Sequence, residues 1–161
     1  MKGDQARVST LVRVPPAEAF RVFTEEIDLW WRHGMAYRMS TGPIVLEPKP
    51  DGRLIETMGD SQRSEREFGR VLDWQPPTRL LLEWRAANFA PHEKTEVEVL
   101  FEKSPSGTLV TITHRGWTQI RPDHPARHGN PPKPFIRELA TWWSQLATSL
   151  REHAERTFNP N

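Results

Sequence analysis

The sequence predicts an α+β domain in which a curved antiparallel sheet of about seven strands wraps around a long C-terminal helix, with two short helices after the first strand. Three observations predict it. A strand-like run followed by a helical run opens the chain. Six short β-patterned runs, divided by turn residues, then follow from Ile44 to Trp117. A single long amphipathic stretch, Phe135 to Arg156, closes it. A lone long helix has to bury its apolar stripe, and the open face of such a sheet is where it can do so.

The first run, ARVSTLVRV from Ala6 to Val14, is rich in β-branched residues and stops at Pro15-Pro16, because proline supplies no ladder N–H. In the next segment Ala19, Phe20, Phe23, Ile27, Trp30 and Trp31 recur at spacings of three and four, and Pro16 suits a first helical turn. The hairpins follow from Ile44. IVLEP and RLIETM are split by Lys49-Pro50-Asp51-Gly52, REFGRVLDW and RLLLEWRA by Pro76-Pro77-Thr78, and TEVEVLFEK and TLVTITHRGW by Ser104-Pro105-Ser106-Gly107. Val97, Val99 and Phe101 alternate with Glu96, Glu98 and Glu102, so one face of that strand is buried and the other wet. Val110, Ile112 and His114 alternate in the same way with Thr111, Thr113 and Arg115, which puts a histidine on the apolar side. Thr118 to Pro134, with five prolines and two histidines, reads as an irregular loop, either a lid or a connector. In the last helix Phe135, Leu139, Trp142, Leu146, Leu150 and Ala154 form the apolar stripe.

The totals narrow the function. A length of 161 residues suits one domain, 1–161, and can bury a core without disulfides or metal. Lys and Arg number 22 and Asp and Glu 21, so no strong field steers the protein to nucleic acid or an anionic membrane, and neither partner is expected. Cysteine is absent, which excludes disulfides, thiolate metal sites and thiol nucleophiles. No apolar run suits a signal peptide or a membrane span, and a cytoplasmic protein is expected. No Walker loop, GxGxxG, HExxH or GxSxG occurs, so no cofactor is expected. The mixed-charge runs EREFGR and RAANFAPHEKTEVEVLFE read as solvated sheet surface.

Seven tryptophans against one tyrosine mark a chain that fills a wide surface or a cavity wall with rigid rings. The aromatic set Trp31, Trp84, Phe101, Trp117, Trp142 and Trp143, with Met58, is either plain core or the lining of a ligand pocket, together with Val97, Val99, Ile112, His114 and Leu146. His114 is either a structural core histidine or an acid–base group. Glu56 alternates with Leu54 and Met58, so it either points inward, where a carboxylate needs a partner, or is solvated. His124 and His128 are four apart and, with His114 or Asp123, could suggest a metal. That spacing brings two imidazoles together only on a helix, and in this proline-rich loop no metal is expected.

With these residues in place, the chain resembles the helix-grip superfamily of START lipid-transfer domains, birch-pollen-allergen-like proteins and aromatic polyketide cyclases. Within it the chain is most similar to homologues of the activator of the ninety-kilodalton heat-shock-protein ATPase. The matching stretches are VRVPPAEAFRVFTEEIDLWW, DGRLIETM, FGRVLDWQPPTRLLLEW, TEVEVLFE, TLVTITHRGW and TWWSQLATSL, in the family's order over nearly the whole chain. The resemblance implies a seven-stranded sheet around the last helix and a cavity that in relatives holds lipids, sterols, hormones or polyketides. Fold alone does not decide which of these is bound. The eukaryotic co-chaperone carries an additional N-terminal domain for which this chain has no room, and HPARHGNPPKP matches no family motif.

Three functions are therefore carried forward. The first is a binding module that holds a small apolar or aromatic molecule against the Trp142 face. The second is an interaction protein that stimulates a chaperone ATPase. The third is a cyclase-like or dehydratase-like enzyme using His114 and Glu56. No heptad pattern announces an oligomer.

Overall fold

A computed structural model describes residues 5–32, 42–58, 64–85, 90, 92–117, 120 and 132–160, leaving out the side chains of 58, 64 and 132–134. The elements run β1 (Ala6–Val12), α1 (Pro16–Glu25), α2 (Ile27–Trp30), β2 (Ile44–Leu46), β3 (Arg53–Met58), β4 (Ser64–Gln75), β5 (Arg79–Trp84), β6 (Thr95–Ser104), β7 (Gly107–Arg115) and α3 (Pro132–Thr157). All seven strands join one antiparallel sheet in the order β1-β7-β6-β5-β4-β3-β2. Consecutive hairpins build β2 to β7, and β1 returns to pair with β7. The sheet curves into a half-barrel, and α3 packs into it against β1, with α1 and α2 alongside.

The register puts the predicted apolar residues on one face. Val97 pairs with His114, Val99 with Ile112 and Phe101 with Val110 across β6 and β7, while Leu80 and Leu82 of β5 face Val99 and Val97. These side chains are buried, together with Leu146 and Leu150 of α3. The outer face carries the charges. Arg79 pairs with Asp73 and Glu98, and Arg115 pairs with Glu96 and Glu98.

Several boundaries differ from the sequence expectation, among them the following three. β1 ends at Val12 rather than Val14. β7 ends at Arg115, because Gly116 adopts φ +98°, a conformation that ends the extended run and re-aims Trp117. α3 begins at Pro132, not Phe135: prolines are tolerated in a first turn, where the backbone N–H groups have no intrahelical acceptor, so the helix takes in the end of the expected loop. His124, His128 and Asp123 lie outside the described residues.

Candidate functional site: the inner face between sheet and helix

The inner face divides into a buried polar knot at His114, an aromatic wall at Trp31, and a charged pair at Glu56. His114 is fully buried near the end of β7, and both ring nitrogens are engaged. Trp143 of α3 donates its indole N–H to Nδ1 at 3.0 Å, and Nε2 lies 2.7 Å from Thr95 Oγ1. The Thr95 hydroxyl donates to the Trp84 carbonyl at 3.0 Å, so its oxygen is left to accept the Nε2 proton. The ring is therefore neutral and protonated at Nε2. Burial without a charged partner pushes its pKa down to about 3. Trp84, Trp117 and Trp143 surround it, with ring centroids 5.0, 5.1 and 5.9 Å away.

Trp117 also belongs to a small second cluster, with Ile120 and Phe135. Its ring lies 4.7 Å from that of Phe135. Trp84 packs against both this cluster and the main core. The expected pocket residues thus gather around two centres, and Trp143 touches both.

The second centre is Trp31, which follows α2. Its ring meets Phe68 at 6.5 Å, Trp142 at 5.7 Å and Trp143 at 5.7 Å, while Trp30 backs it at 5.6 Å. α2 is placed by its own hydrogen bonds. Trp30 donates its indole N–H to the Val22 carbonyl at 3.2 Å, and Ser149 of α3 donates its hydroxyl to the Trp30 carbonyl at 2.6 Å. Trp143 is buried, whereas Trp142, one residue before it, is only partly so. A helix turns about 100° per residue, so adjacent tryptophans cannot both point at the centre of the sheet.

The third centre is Glu56. Its strand partners are Ile44 and Arg66, and Ile44, Leu46 and Leu54 beside it all belong to the core, so its carboxylate is on the inner face, 2 % exposed. Arg66 Nη2 approaches Glu56 Oε1 at 3.4 Å, and the guanidinium stacks 5.2 Å above the Phe68 ring. A bulge in β4 makes this possible: Leu54 pairs with Gly69 but Ile55 with Glu67, so Phe68 is the extra residue and turns inward as Arg66 does. Gly69 is required there, since a β-carbon would collide with the Glu83 carbonyl oxygen and sit about 3.3 Å from the Leu54 side chain.

Val97, Val99, Phe101, Ile112 and Leu146 are buried in the main core, and the Met58 side chain lies outside the described residues. Arg66, Phe68 and Thr95 were not singled out in the sequence. Arg66 and Phe68 sit in EREFGR, whose charges imitate a solvated strand, and the bulge that turns both inward has no sequence mark other than Gly69. Two open surface grooves of about 390 Å³ each lie elsewhere. One runs along α3 beside Arg32, Ser144 and Thr148, and the other lies between α1 and the turn at Pro76-Pro77.

Comparison with known proteins adds a family and a set of folds. The model of the family described as Activator of Hsp90 ATPase homolog 1-like protein matches residues 13–155. No curated protein matches. Among solved structures, a Mesorhizobium loti protein is 18 % identical with a TM-score of 0.66, covering 96 % of this chain and 99 % of its own. A Nitrosomonas europaea protein is 16 % identical with a TM-score of 0.65, covering 98 % of each chain. DynU16, a protein in the dynemicin biosynthetic locus, is 17 % identical with a TM-score of 0.65, covering 94 % of this chain and 47 % of its own. At such identities the likeness is one of fold.

Proposed function

The chain belongs to the family of Activator of Hsp90 ATPase homolog 1-like proteins, and we propose that it is a binding domain that holds a small apolar or aromatic molecule between the concave sheet and α3. The observation that carries this reading is the position of Trp142. It is a partly buried indole on the helix edge, backed by Trp31 and Trp143. A rigid, half-buried ring offers a planar ligand apolar contact at little entropic cost.

His114 has no catalytic role in this reading. Both its nitrogens are bonded within the core, and an imidazole with its pKa near 3 is not a base at neutral pH. Native mass spectrometry of the freshly purified protein tests the binding reading. A mass excess that is released by organic solvent, and is lost in Trp142→Ala while the fold is kept, is expected. A ligand-free protein that also binds no planar aromatic probe sinks it.

The family's description favours a second reading, stimulation of a chaperone ATPase. An unaltered chaperone ATPase rate in the presence of saturating protein would remove it.

A further inference from the structure

We propose that Glu56 and Arg66 form the polar end of the pocket, where Arg66 receives an anionic oxygen, a carboxylate or ionised phenol, of an aromatic ligand; this assignment rests on the binding reading above and narrows its ligand class. The pair is out of place in a purely apolar site. Glu56 is 2 % exposed on the core side of β3, and burying a carboxylate is unfavourable unless a cation accompanies it. Arg66 is that cation, yet a guanidinium offers five N–H donors and a contact of 3.4 Å through Nη2 occupies one. Its Nε is buried and has no acceptor among the described residues. A charged donor buried without an acceptor is destabilising by itself, and an oxygen arriving with a ligand would satisfy it.

Position supports the same assignment. Arg66 lies over Phe68, Phe68 meets Trp31, and Trp31 meets Trp142, so an unbroken run of rings joins the guanidinium to the helix edge where the ligand is placed. Such a site fits an amphiphile whose rings lie along Trp31 and Trp142 and whose oxyanion reaches Arg66. Glu56 then orients the guanidinium and keeps the empty site near neutral. It also disfavours a second negative charge on the ligand.

Two fluorescent probes separate this assignment from the binding reading. Anilinonaphthalene sulfonate and N-phenyl-1-naphthylamine share their rings, and only the first carries an oxyanion. Wild-type protein is expected to bind both saturably. Arg66→Met is expected to weaken the sulfonate by about tenfold or more, the size of a charge-assisted hydrogen bond, and the neutral amine by less than about threefold. Glu56→Gln combined with Arg66→Met removes the buried carboxylate along with the guanidinium and is expected to give the same difference. The near-ultraviolet circular dichroism of each variant checks that the fold is retained. Equal losses for the two probes, or none for either, overturn the role of Arg66 while leaving the pocket in place. Failure of both probes to bind wild type overturns the pocket together with its polar end.

Discussion

The Trp143 indole donates to His114 Nδ1 across 3.0 Å, and this one bond decides where the imidazole carries its proton. With Nδ1 accepting, Nε2 must be the protonated nitrogen, and Thr95 is placed 2.7 Å away to receive it. The strand β6, the strand β7 and the helix α3 are thereby joined by a neutral polar chain inside an otherwise apolar core. Groups of this kind favour one packing over its neighbours, since any slip leaves a donor unmatched.

A pH dependence follows. The folded His114 pKa, near 3, lies below the unfolded value of about 6.5, so the unfolded chain takes up a proton that the folded one refuses. Stability is complete above about pH 6.5 and falls as pH drops toward 3, by roughly 1.4 kcal/mol per unit through this group. Urea unfolding at pH 7 and pH 5 should show the loss in the wild type and a smaller one in His114→Gln. The variant is less stable at pH 7 but has no imidazole to charge. Parallel losses in the two proteins would refute a buried, neutral His114.

Trp142 and Trp143 should separate in their effects. Trp143→Ala opens a cavity in the core and strips His114 of its donor, so a loss of about 3 to 5 kcal/mol is expected by chemical denaturation. Trp142 is partly exposed, and Trp142→Ala should be distinctly milder for stability while weakening the retention of planar aromatic molecules. Equal destabilisation by the two substitutions would mean that Trp142 is simply core.

The contrast shows what the sequence could reveal. Periodicity exposed the hairpins, the inward side of β6 and β7 and the apolar stripe of α3, because burial imposes a period of 2 on strands and 3.6 on helices. That stripe ran through Trp142, yet the structure buries Trp143 beside Leu146 and Ala147 and leaves Trp142 at the edge. Two adjacent tryptophans fit the stripe equally well, and only the partner at His114 distinguishes them. The inward direction of Glu56 was one of two open alternatives, which the pairing of Ile44 with Glu56 and Leu46 with Leu54 resolves. Arg66 could not be found by alternation, since the bulge at Phe68 and Gly69 shifts the register beside it.

The bulge itself gives a sharp substitution. In Gly69→Ala the added methyl meets the Glu83 carbonyl oxygen on β5, and neither strand can move away without breaking its ladder. Overpacking at a site with backbone on one side is destabilising by about 1 to 3 kcal/mol or more. Because Phe68 is held by the bulge, the substitution should also displace Arg66 and alter probe binding at the polar end. Unchanged stability with unchanged binding would show that the bulge has no part in aiming these side chains.

The far end of α3 is fastened by Glu26, at the junction of α1 and α2. His153 Nε2 lies 2.8 Å from Glu26 Oε1, and Arg21 donates to Oε2 at 2.7 Å. Burial pushes the Glu26 pKa up, but the hydrogen bonds from His153 and Arg21 outweigh it and hold the pKa below the ordinary carboxylate value. A lowered carboxyl pKa contributes stability that is present above the unfolded value, near 4.5, and is lost as pH falls through the folded one. Glu26→Gln should therefore cost about 1 kcal/mol at pH 7, consistent with one lost charge-assisted contact, and the cost should shrink toward zero at a pH below the folded Glu26 value. Since this junction also places Trp30 and Trp31, the same variant should weaken aromatic-probe binding at pH 7 more than its small stability loss explains. A cost for Glu26→Gln that is independent of pH would show that the ionised carboxylate does not hold α3 in place.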